Sequence, residues 1–168
     1  MKKFCLYLCT ILIIFLSGCS QSGSTALLAP STLSGSSVKF EGDVRDPASI
    51  AFFKNNVGDR VLFSIDQSDI DQSGRDILLA QVDWLKVNSD YKIIIEGHAD
   101  ERGTREYNLA LGARRANSAR EFLVSRGIES SRIKTVSFGK ERPAELCSNE
   151  SCYSENRRAV SVVSNLNF

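Results

Sequence analysis

The chain has 168 residues, of which 24% are charged, and its formal net charge is +1 at pH 7. Such a balance excludes the basic surplus with which nucleic-acid-binding domains neutralise phosphates. The length suits one domain with its own hydrophobic core and additional terminal segments.

The N-terminus has the pattern of a cleaved signal peptide at residues 1–18. Lys2 and Lys3 form a basic start, and the apolar run that follows, 4–16, is too short for a stable membrane span. The next stretch, LSGC ending at Cys19, resembles the lipobox of bacterial lipoproteins, in which the cysteine is acylated and the chain is cut before it. The resemblance implies that Cys19 carries the lipid. The alternative is an ordinary secretory signal that happens to be cleaved beside a cysteine.

A flexible tether is predicted after the signal peptide, because residues 20–37 are rich in serine, glycine, threonine and alanine. We therefore assign residues 19–45 to the lipidated cysteine and its tether. The folded domain is predicted to occupy residues 46–168.

The cysteine count also bears on the fold, since five is an odd number for an exported chain. Cys5 and Cys9 lie in the signal peptide, and Cys19 is consumed by acylation. Cys147 and Cys152 then remain as an even pair in an oxidising compartment, which favours a disulfide. A metal site is the alternative, but it would need more ligands, and the single histidine is distant in sequence.

Hydrophobic periodicity predicts strands that alternate with helices in this domain. The predicted elements, in chain order, are a helix entry at 46–48, a strand at 61–66, a helix built on Ile77, Leu78, Val82 and Leu85, a strand at 91–96, a helix from Thr104 to Gly127, and strands at 133–138 and 159–163. A loop with Pro143 and both remaining cysteines is predicted between the last two strands. The alternation indicates an α/β or α+β domain with crossover connections and some parallel pairing.

Arg115 falls on the apolar side of the long helix predicted from residue 104. At about 100° per residue it lies between Phe122 and Ala119, whereas Arg114 lies on the opposite side. A buried guanidinium is costly without a partner, so we expect a carboxylate to meet it. The alternative is an arginine whose stem crosses the edge of the core and whose head reaches water.

Two acidic residues follow predicted strands. Asp100 lies just beyond the strand at 91–96, and Asp66 closes the strand at 61–66. Ligands of open α/β sheets bind beyond the carboxyl ends of the strands. Two acids and Arg115 around such a cleft suit a ligand that carries both an ammonium and a carboxylate. An internal salt bridge without a ligand is the alternative.

The stretch EGHADERGTREYNLALGARRANSA at 96–119 resembles the signature of the OmpA-like peptidoglycan-binding domain family. The likeness extends to VLFSIDQSDI at 61–70, TVSFGKERPAEL at 135–146 and YSENRRAVSV at 153–162. With the lipobox and tether it covers nearly the whole chain, and it points to the lipid-anchored members of the family. The fold it implies is a βαβαβ-type mixed sheet of about four strands with helices packed on one face.

The resemblance implies noncovalent binding of the peptide stem of peptidoglycan through diaminopimelate, whose distal end is a zwitterion. Carried over by position, Asp100 and Arg115 would clasp its ammonium and its carboxylate. The other positions that match ligand-binding residues of the family are Asp66, Asn108, Leu111, Asn156 and Arg157.

The resemblance also implies a location and partners. It indicates a lipoprotein on the periplasmic face of the outer membrane that tethers this membrane to the cell wall. It further implies membership of the Tol–Pal system, with the β-propeller protein TolB as partner and a role in cell division. Ser20 after Cys19 agrees with outer-membrane sorting. A lipoprotein of the same family outside the Tol system is the alternative.

A cell-wall hydrolase is the competing interpretation from another class. Asp66 and Asp100 could flank a glycosidic bond as paired acids. An arginine that pairs with Asp100 would, however, keep this carboxylate ionised and unfit as a general acid. His98 is accompanied by neither a metal-ligand set nor a nucleophile motif, so we predict a structural role for it. No catalytic residue, metal or cofactor is predicted.

Overall fold

The computed structural model describes residues 42–165. The predicted signal peptide, the acylation of Cys19 and the tether up to residue 41 lie outside the described residues, so these assignments and the domain boundary at residue 46 remain predictions. Within the described part, no helix is both long enough and apolar enough to cross a membrane.

Helices and strands alternate along the described chain. In chain order the elements are α1 (Ile50–Phe52), which continues as a π-helical turn (Phe53–Gly58), β1 (Arg60–Leu62), α2 (Gln72–Val87), β2 (Lys92–His98), α3 (Arg105–Ser125), a 3-10 turn (Ser130–Arg132), β3 (Ile133–Gly139), α4 (Glu150–Asn156) and β4 (Arg158–Ser164).

The strands form one mixed sheet in the order β1-β4-β2-β3. Strand β4 pairs antiparallel with both β1 and β2, while β2 and β3 are parallel. Helix α3 supplies the crossover that a parallel pair requires. The predicted four-stranded mixed sheet with helices is confirmed.

The core lies between the sheet and helices α2 and α3. Along β2 the side chains alternate, so that Ile93 and Ile95 are fully buried and Ile94 between them is half-buried. Leu78, Val82 and Leu85 recur at helical spacing on α2 and join the same core. Burial of one such side chain stabilises the fold by about 1.5–3 kcal/mol.

Helix α3 begins and ends where its sequence predicts. Thr104 caps it, since the side-chain oxygen accepts a hydrogen bond from the amide of Tyr107 at 3.2 Å. Gly127 follows the last turn with φ +95°, the left-handed conformation that ends many helices.

The other strand boundaries agree within two residues, and two predictions differ more from the structure. The strand predicted at 61–66 ends at Leu62. The carbonyl groups of the next two residues, Phe63 and Ser64, accept hydrogen bonds from arginine side chains instead of continuing the strand pairing. The segment predicted as a loop with two cysteines contains α4. Asn149 caps this short helix through hydrogen bonds from the amides of Ser151 and Cys152. Seven residues are too few for a periodic apolar pattern, so hydrophobic periodicity does not predict α4.

Candidate binding cleft

A cleft of about 350 Å³ opens beyond the carboxyl end of β2, beside the first half of α3. Three segments contribute: the loop after β1, the loop after β2, and one face of α3, whose contributing positions are spaced by about one helical turn. The lining residues are Ile65, Asp66, Asp100, Arg102, Gly103, Tyr107, Asn108, Leu111 and Arg115. Five of the seven predicted ligand-binding residues therefore meet here: Asp66, Asp100, Asn108, Leu111 and Arg115.

A glycine contact sets the distance between β2 and α3. A Cβ added to Gly97 would overlap the carbonyl oxygen of Gly112, so the strand and the helix touch through their backbones. Glycine is the residue that permits such an approach. The contact lies one residue before the end of β2 and one turn before Arg115, so it fixes the helix face relative to the loop that carries Asp100.

Arg115 is completely buried, and its hydrogen bonds go to main-chain carbonyl groups. Nε donates to Gln67 O at 2.8 Å, Nη1 to His98 O at 2.8 Å and Nη2 to Ser64 O at 3.1 Å. The partners are therefore three carbonyl oxygens, not the carboxylate expected from the sequence. Burial lowers the pKa of Arg115 to about 10, against the opposing influence of the Asp100 charge. The guanidinium thus remains a cation at neutral pH.

Asp100 is buried and is held by two other arginines. Its Oδ2 accepts from Arg102 Nη2 at 2.6 Å and from Arg157 Nη1 at 3.3 Å, and its Oδ1 accepts from the Arg102 amide at 3.1 Å. Burial alone would raise the pKa of Asp100, but the hydrogen bonds from Arg102 and Arg157 outweigh it, and the pKa lies below its usual value. The carboxylate is therefore ionised at neutral pH.

Asp66 enters the cleft from a sharp turn. Its φ is +56°, a left-handed conformation that aspartate tolerates better than most residues. The hydroxyl of Tyr107 donates a hydrogen bond to its carboxylate. This bond holds the pKa of Tyr107 above its usual value. Tyr107 was not among the predicted site residues, although its place one turn before Leu111 on α3 is a signal that could have identified it.

Asn108 and Leu111 shape the cleft in different ways. Asn108 is buried, and its Nδ2 donates to the carbonyl oxygen of Arg102 at 2.7 Å, which ties the loop after β2 to α3. Leu111 is a buried apolar side chain that lines the same cleft.

Asn156 and Arg157, the other two predicted site residues, are not among the residues that line the cleft. The side chain of Asn156 is bonded to the backbone of the preceding loop, where it accepts from Ala144 N at 2.7 Å and donates to Glu145 O at 2.9 Å. Arg157 instead reaches the cleft indirectly, because it bonds to Asp100.

Arg157 connects three parts of the fold. Besides its bond to Asp100, its Nε donates to Phe63 O at 3.0 Å and its Nη2 to Glu150 at 2.6 Å. Arg157 lies between α4 and β4, and it therefore links the loop after β1, the loop after β2 and α4. A residue in this position orients Asp100 and supports it electrostatically.

Helix α4 contacts the loop after β2. Cys147 and Cys152 are joined by a disulfide with a Cα–Cα distance of 5.8 Å, within the usual range, and Cys152 belongs to α4. The hydroxyl of Tyr153 donates to Glu101 at 2.9 Å. The disulfide therefore lies next to a helix that supports the Asp100 loop.

His98 is buried on β2 beside the ring of Phe138, with ring centroids 5.6 Å apart. Burial, reinforced by the charge of Arg158, lowers the pKa of His98 to about 4. The imidazole is therefore neutral at neutral pH. Within residues 42–165, no cluster of three His, Cys, Asp or Glu side chains has a geometry that could hold a metal ion.

Comparison with known proteins gives concordant matches. Residues 62–159 match the OmpA family. The peptidoglycan-associated lipoprotein of Mesorhizobium japonicum is 46% identical over 154 residues, which are 92% of this chain and 88% of that protein. The protein of the same name from Agrobacterium fabrum is 53% identical over 117 residues, 70% of this chain and 66% of that one. The crystal structure of the peptidoglycan-associated lipoprotein from Burkholderia pseudomallei has a TM-score of 0.64 at 35% identity and covers 72% of this chain and 98% of that chain.

Proposed function

The chain belongs to the OmpA family, and on that premise we propose that the cleft binds the peptide stem of peptidoglycan through the zwitterionic end of diaminopimelate. One observation carries the proposal. An ionised carboxylate on Asp100 and a cationic guanidinium on Arg115 line the same cleft, yet their hydrogen bonds go to other partners. Opposite charges arranged in this way suit a ligand that presents an ammonium and a carboxylate together.

Arg115 has enough N–H donors to bind the ligand carboxylate as well as its protein partners. A guanidinium carries five N–H donors. Three of its N–H groups are engaged by Gln67, His98 and Ser64. The remaining two can meet a carboxylate, and the three carbonyl bonds hold the fork in one orientation beforehand. Asp100 binds the ligand ammonium, and Arg157 keeps its hydrogen bond to the same carboxylate.

The surrounding residues complete the site. Asp66 and Tyr107 form a hydrogen-bonded pair at one side of the cleft, and Leu111 contributes apolar contact with the methylene chain of the ligand. Asn108 positions the loop that carries Asp100. We assign Asn156, whose side chain is bonded to the loop before α4, a supporting role.

We propose a binding role without catalysis. A general acid must be protonated at working pH, and the lowered pKa of Asp100 makes it unsuitable for that task. The relatives reported above are named as lipoproteins. An assay for soluble muropeptides released from purified sacculi separates binding from hydrolysis, and steady release by the pure protein would refute the binding role.

We further propose that the domain is anchored in the outer membrane through acylated Cys19 and acts in the Tol–Pal system with TolB. The lipobox-like stretch before Cys19 and the names of the relatives support this part. The Cys19→Ser variant should leave the outer-membrane fraction after lysozyme digestion removes the wall. Pull-down with TolB distinguishes a Tol–Pal member from a family lipoprotein outside that system.

The ligand proposal is tested with two kinds of sacculi. The side chain of lysine ends in an ammonium without the adjoining carboxylate of diaminopimelate. The protein should therefore sediment with diaminopimelate-type sacculi and much less with lysine-type ones. Asp100→Ala should weaken binding roughly ten- to a hundredfold, the size expected for hydrogen bonds to charged groups. Asp83→Ala is the matched control, because Asp83 is an exposed carboxylate on α2 outside the cleft. Equal binding by both variants would refute the assignment.

A further inference from the structure

The carboxylate of Asp100 has no unoccupied hydrogen-bond acceptor site for a ligand. Besides the three hydrogen bonds given above, its Oδ1 accepts a fourth from Arg102 Nε at 3.3 Å. A carboxylate offers about four lone-pair sites, so all of them are engaged. A ligand ammonium that binds Asp100 must therefore displace one of the groups already present.

Arg102 is the partner that can leave. Its side chain is 43% exposed, whereas that of Arg157 is 6% exposed and is also tied to Phe63 and Glu150. The backbone of Arg102 keeps its own bonds when the side chain moves, since its amide bonds to Asp100 and its carbonyl to Asn108. Only the side-chain bonds from Nε and Nη2 need to break.

A second position for the displaced guanidinium already exists on α4. Arg102 Nη1 lies 3.8 Å from Glu150 Oε2, and its guanidinium carbon lies 4.5 Å from the centre of the Tyr153 ring. A carboxylate and an aromatic face are the two surfaces that arginine prefers. A small rotation exchanges the contact with Asp100 for closer contacts with these two residues.

We propose that Arg102 is a built-in competitor for Asp100 and thereby a determinant of ligand specificity. This inference rests on the proposed function. In the empty cleft, the guanidinium compensates a buried carboxylate that would otherwise be costly. A ligand cation replaces it, and Arg102 then rests on Glu150 and Tyr153. A ligand without a cation leaves Arg102 in place and gains nothing from Asp100.

The experiment compares two peptides by calorimetric titration of the full-length lipoprotein in detergent. One is L-Ala-γ-D-Glu-meso-diaminopimelate, and the other has hydrogen in place of the distal amino group. Arg102→Ala and Arg102→Gln should bind the first peptide about fivefold more tightly than wild type, because the part-exposed ion pair between Arg102 and Asp100, of about 1 kcal/mol, no longer competes. Neither variant should gain affinity for the second peptide.

Arg105→Ala is the matched control. Arg105 is an exposed arginine with a carboxylate partner, Glu141 at 3.2 Å, and it is not a lining residue, so its removal changes the net charge equally without changing the cleft. Weaker binding of the first peptide by the Arg102 variants than by wild type would overturn the competition. An equal gain in affinity by Arg105→Ala, or a gain by the Arg102 variants in affinity for the second peptide, would also overturn it. Absence of wild-type binding to the first peptide, or wild-type affinity in Asp100→Ala, would instead overturn the diaminopimelate proposal and the competition with it.

Discussion

Arg115 Nη1 donates a 2.8 Å hydrogen bond to the carbonyl oxygen of His98, which ties the middle of α3 to the last residue of β2. The same guanidinium also reaches Ser64 and Gln67 in the loop after β1. One side chain thus joins three segments that surround the cleft. Arg115 therefore contributes to folding as well as to the proposed ligand site.

Arg115→Ala should reduce the free energy of unfolding by about 3–5 kcal/mol, similar to the loss of one partner from a buried charged pair, because three carbonyl groups lose their donor and a cavity remains. Urea unfolding measures the change. Arg114→Ala removes the exposed neighbour on α3 and should stay within about 0.5 kcal/mol of wild type. Equal stability of the two variants would show that the carbonyl bonds contribute little.

Gly97→Ala tests the contact between β2 and α3. The new methyl group would overlap the backbone of Gly112, so the helix must shift, and we expect a loss of about 1–3 kcal/mol in unfolding free energy. A shift of α3 also moves Arg115, so binding to sacculi should fall as well.

Gly127→Ala is the informative comparison for that variant. Its added methyl group has no atom within 4 Å, so only the left-handed backbone conformation opposes it, at about 1–2 kcal/mol. Gly127 lies at the end of α3, and sacculus binding should be unchanged. Loss of binding in both variants would indicate that reduced stability, not helix position, is responsible.

His98 should make the stability depend on pH in a mildly acidic window. Its pKa is about 4 in the folded protein and about 6.5 when unfolded, so the unfolded state binds more protons between these values. Stability is therefore full above pH 6.5 and is lost as the pH falls toward 4. The largest loss is about 3 kcal/mol.

His98→Phe keeps a ring beside Phe138 and removes the titrating group. Chemical denaturation at several pH values should show a slope between pH 6.5 and 4 in wild type and a much flatter profile in the variant. The pKa of Asp100 lies below its usual value, so most of its contribution to stability is lost at a more acidic pH than that of His98. An identical slope in both proteins would assign the effect to other groups.

The sequence predicts the cleft well where local pattern decides position. Arg115 and Leu111 fall on the inward face of α3 by periodicity, and Asp100 follows a strand end, so their meeting in one cleft is a consequence of the predicted elements. Asp66 belongs to the same group, although the strand before it is shorter than predicted.

Contacts between residues distant in sequence could not be predicted in this way. Arg157 bonds to Asp100 across 57 positions, and no periodicity links the two. The expectation that Arg115 would meet a carboxylate was wrong for a related reason. Main-chain carbonyl groups carry no signature in the sequence, so three of them in one place are visible only in the fold. The role of Arg102 depends on α4, which the sequence did not predict.

The disulfide between Cys147 and Cys152 should stabilise α4 locally rather than the whole domain. The bridge closes a short loop, with a sequence separation of 5, and such a loop contributes about 2 kcal/mol in the chain-entropy model. Reduction should lower the urea midpoint modestly. Amide hydrogen exchange should accelerate in α4 while the core of α3 remains protected, since α3 packs against the sheet independently of the bridge.

The control for that experiment is a Cys147→Ser, Cys152→Ser double variant, which should resemble the reduced protein and should not respond to reductant. Sacculus binding should weaken slightly in the reduced protein and in the double variant. Glu150 on α4 accepts a hydrogen bond from Arg157, and Arg157 in turn holds Asp100. Intact mass after alkylation counts the free thiols at the start. Two free thiols in protein isolated from the periplasm would rule out the bridge, and uniform acceleration of exchange in α3 and α4 would rule out its local action.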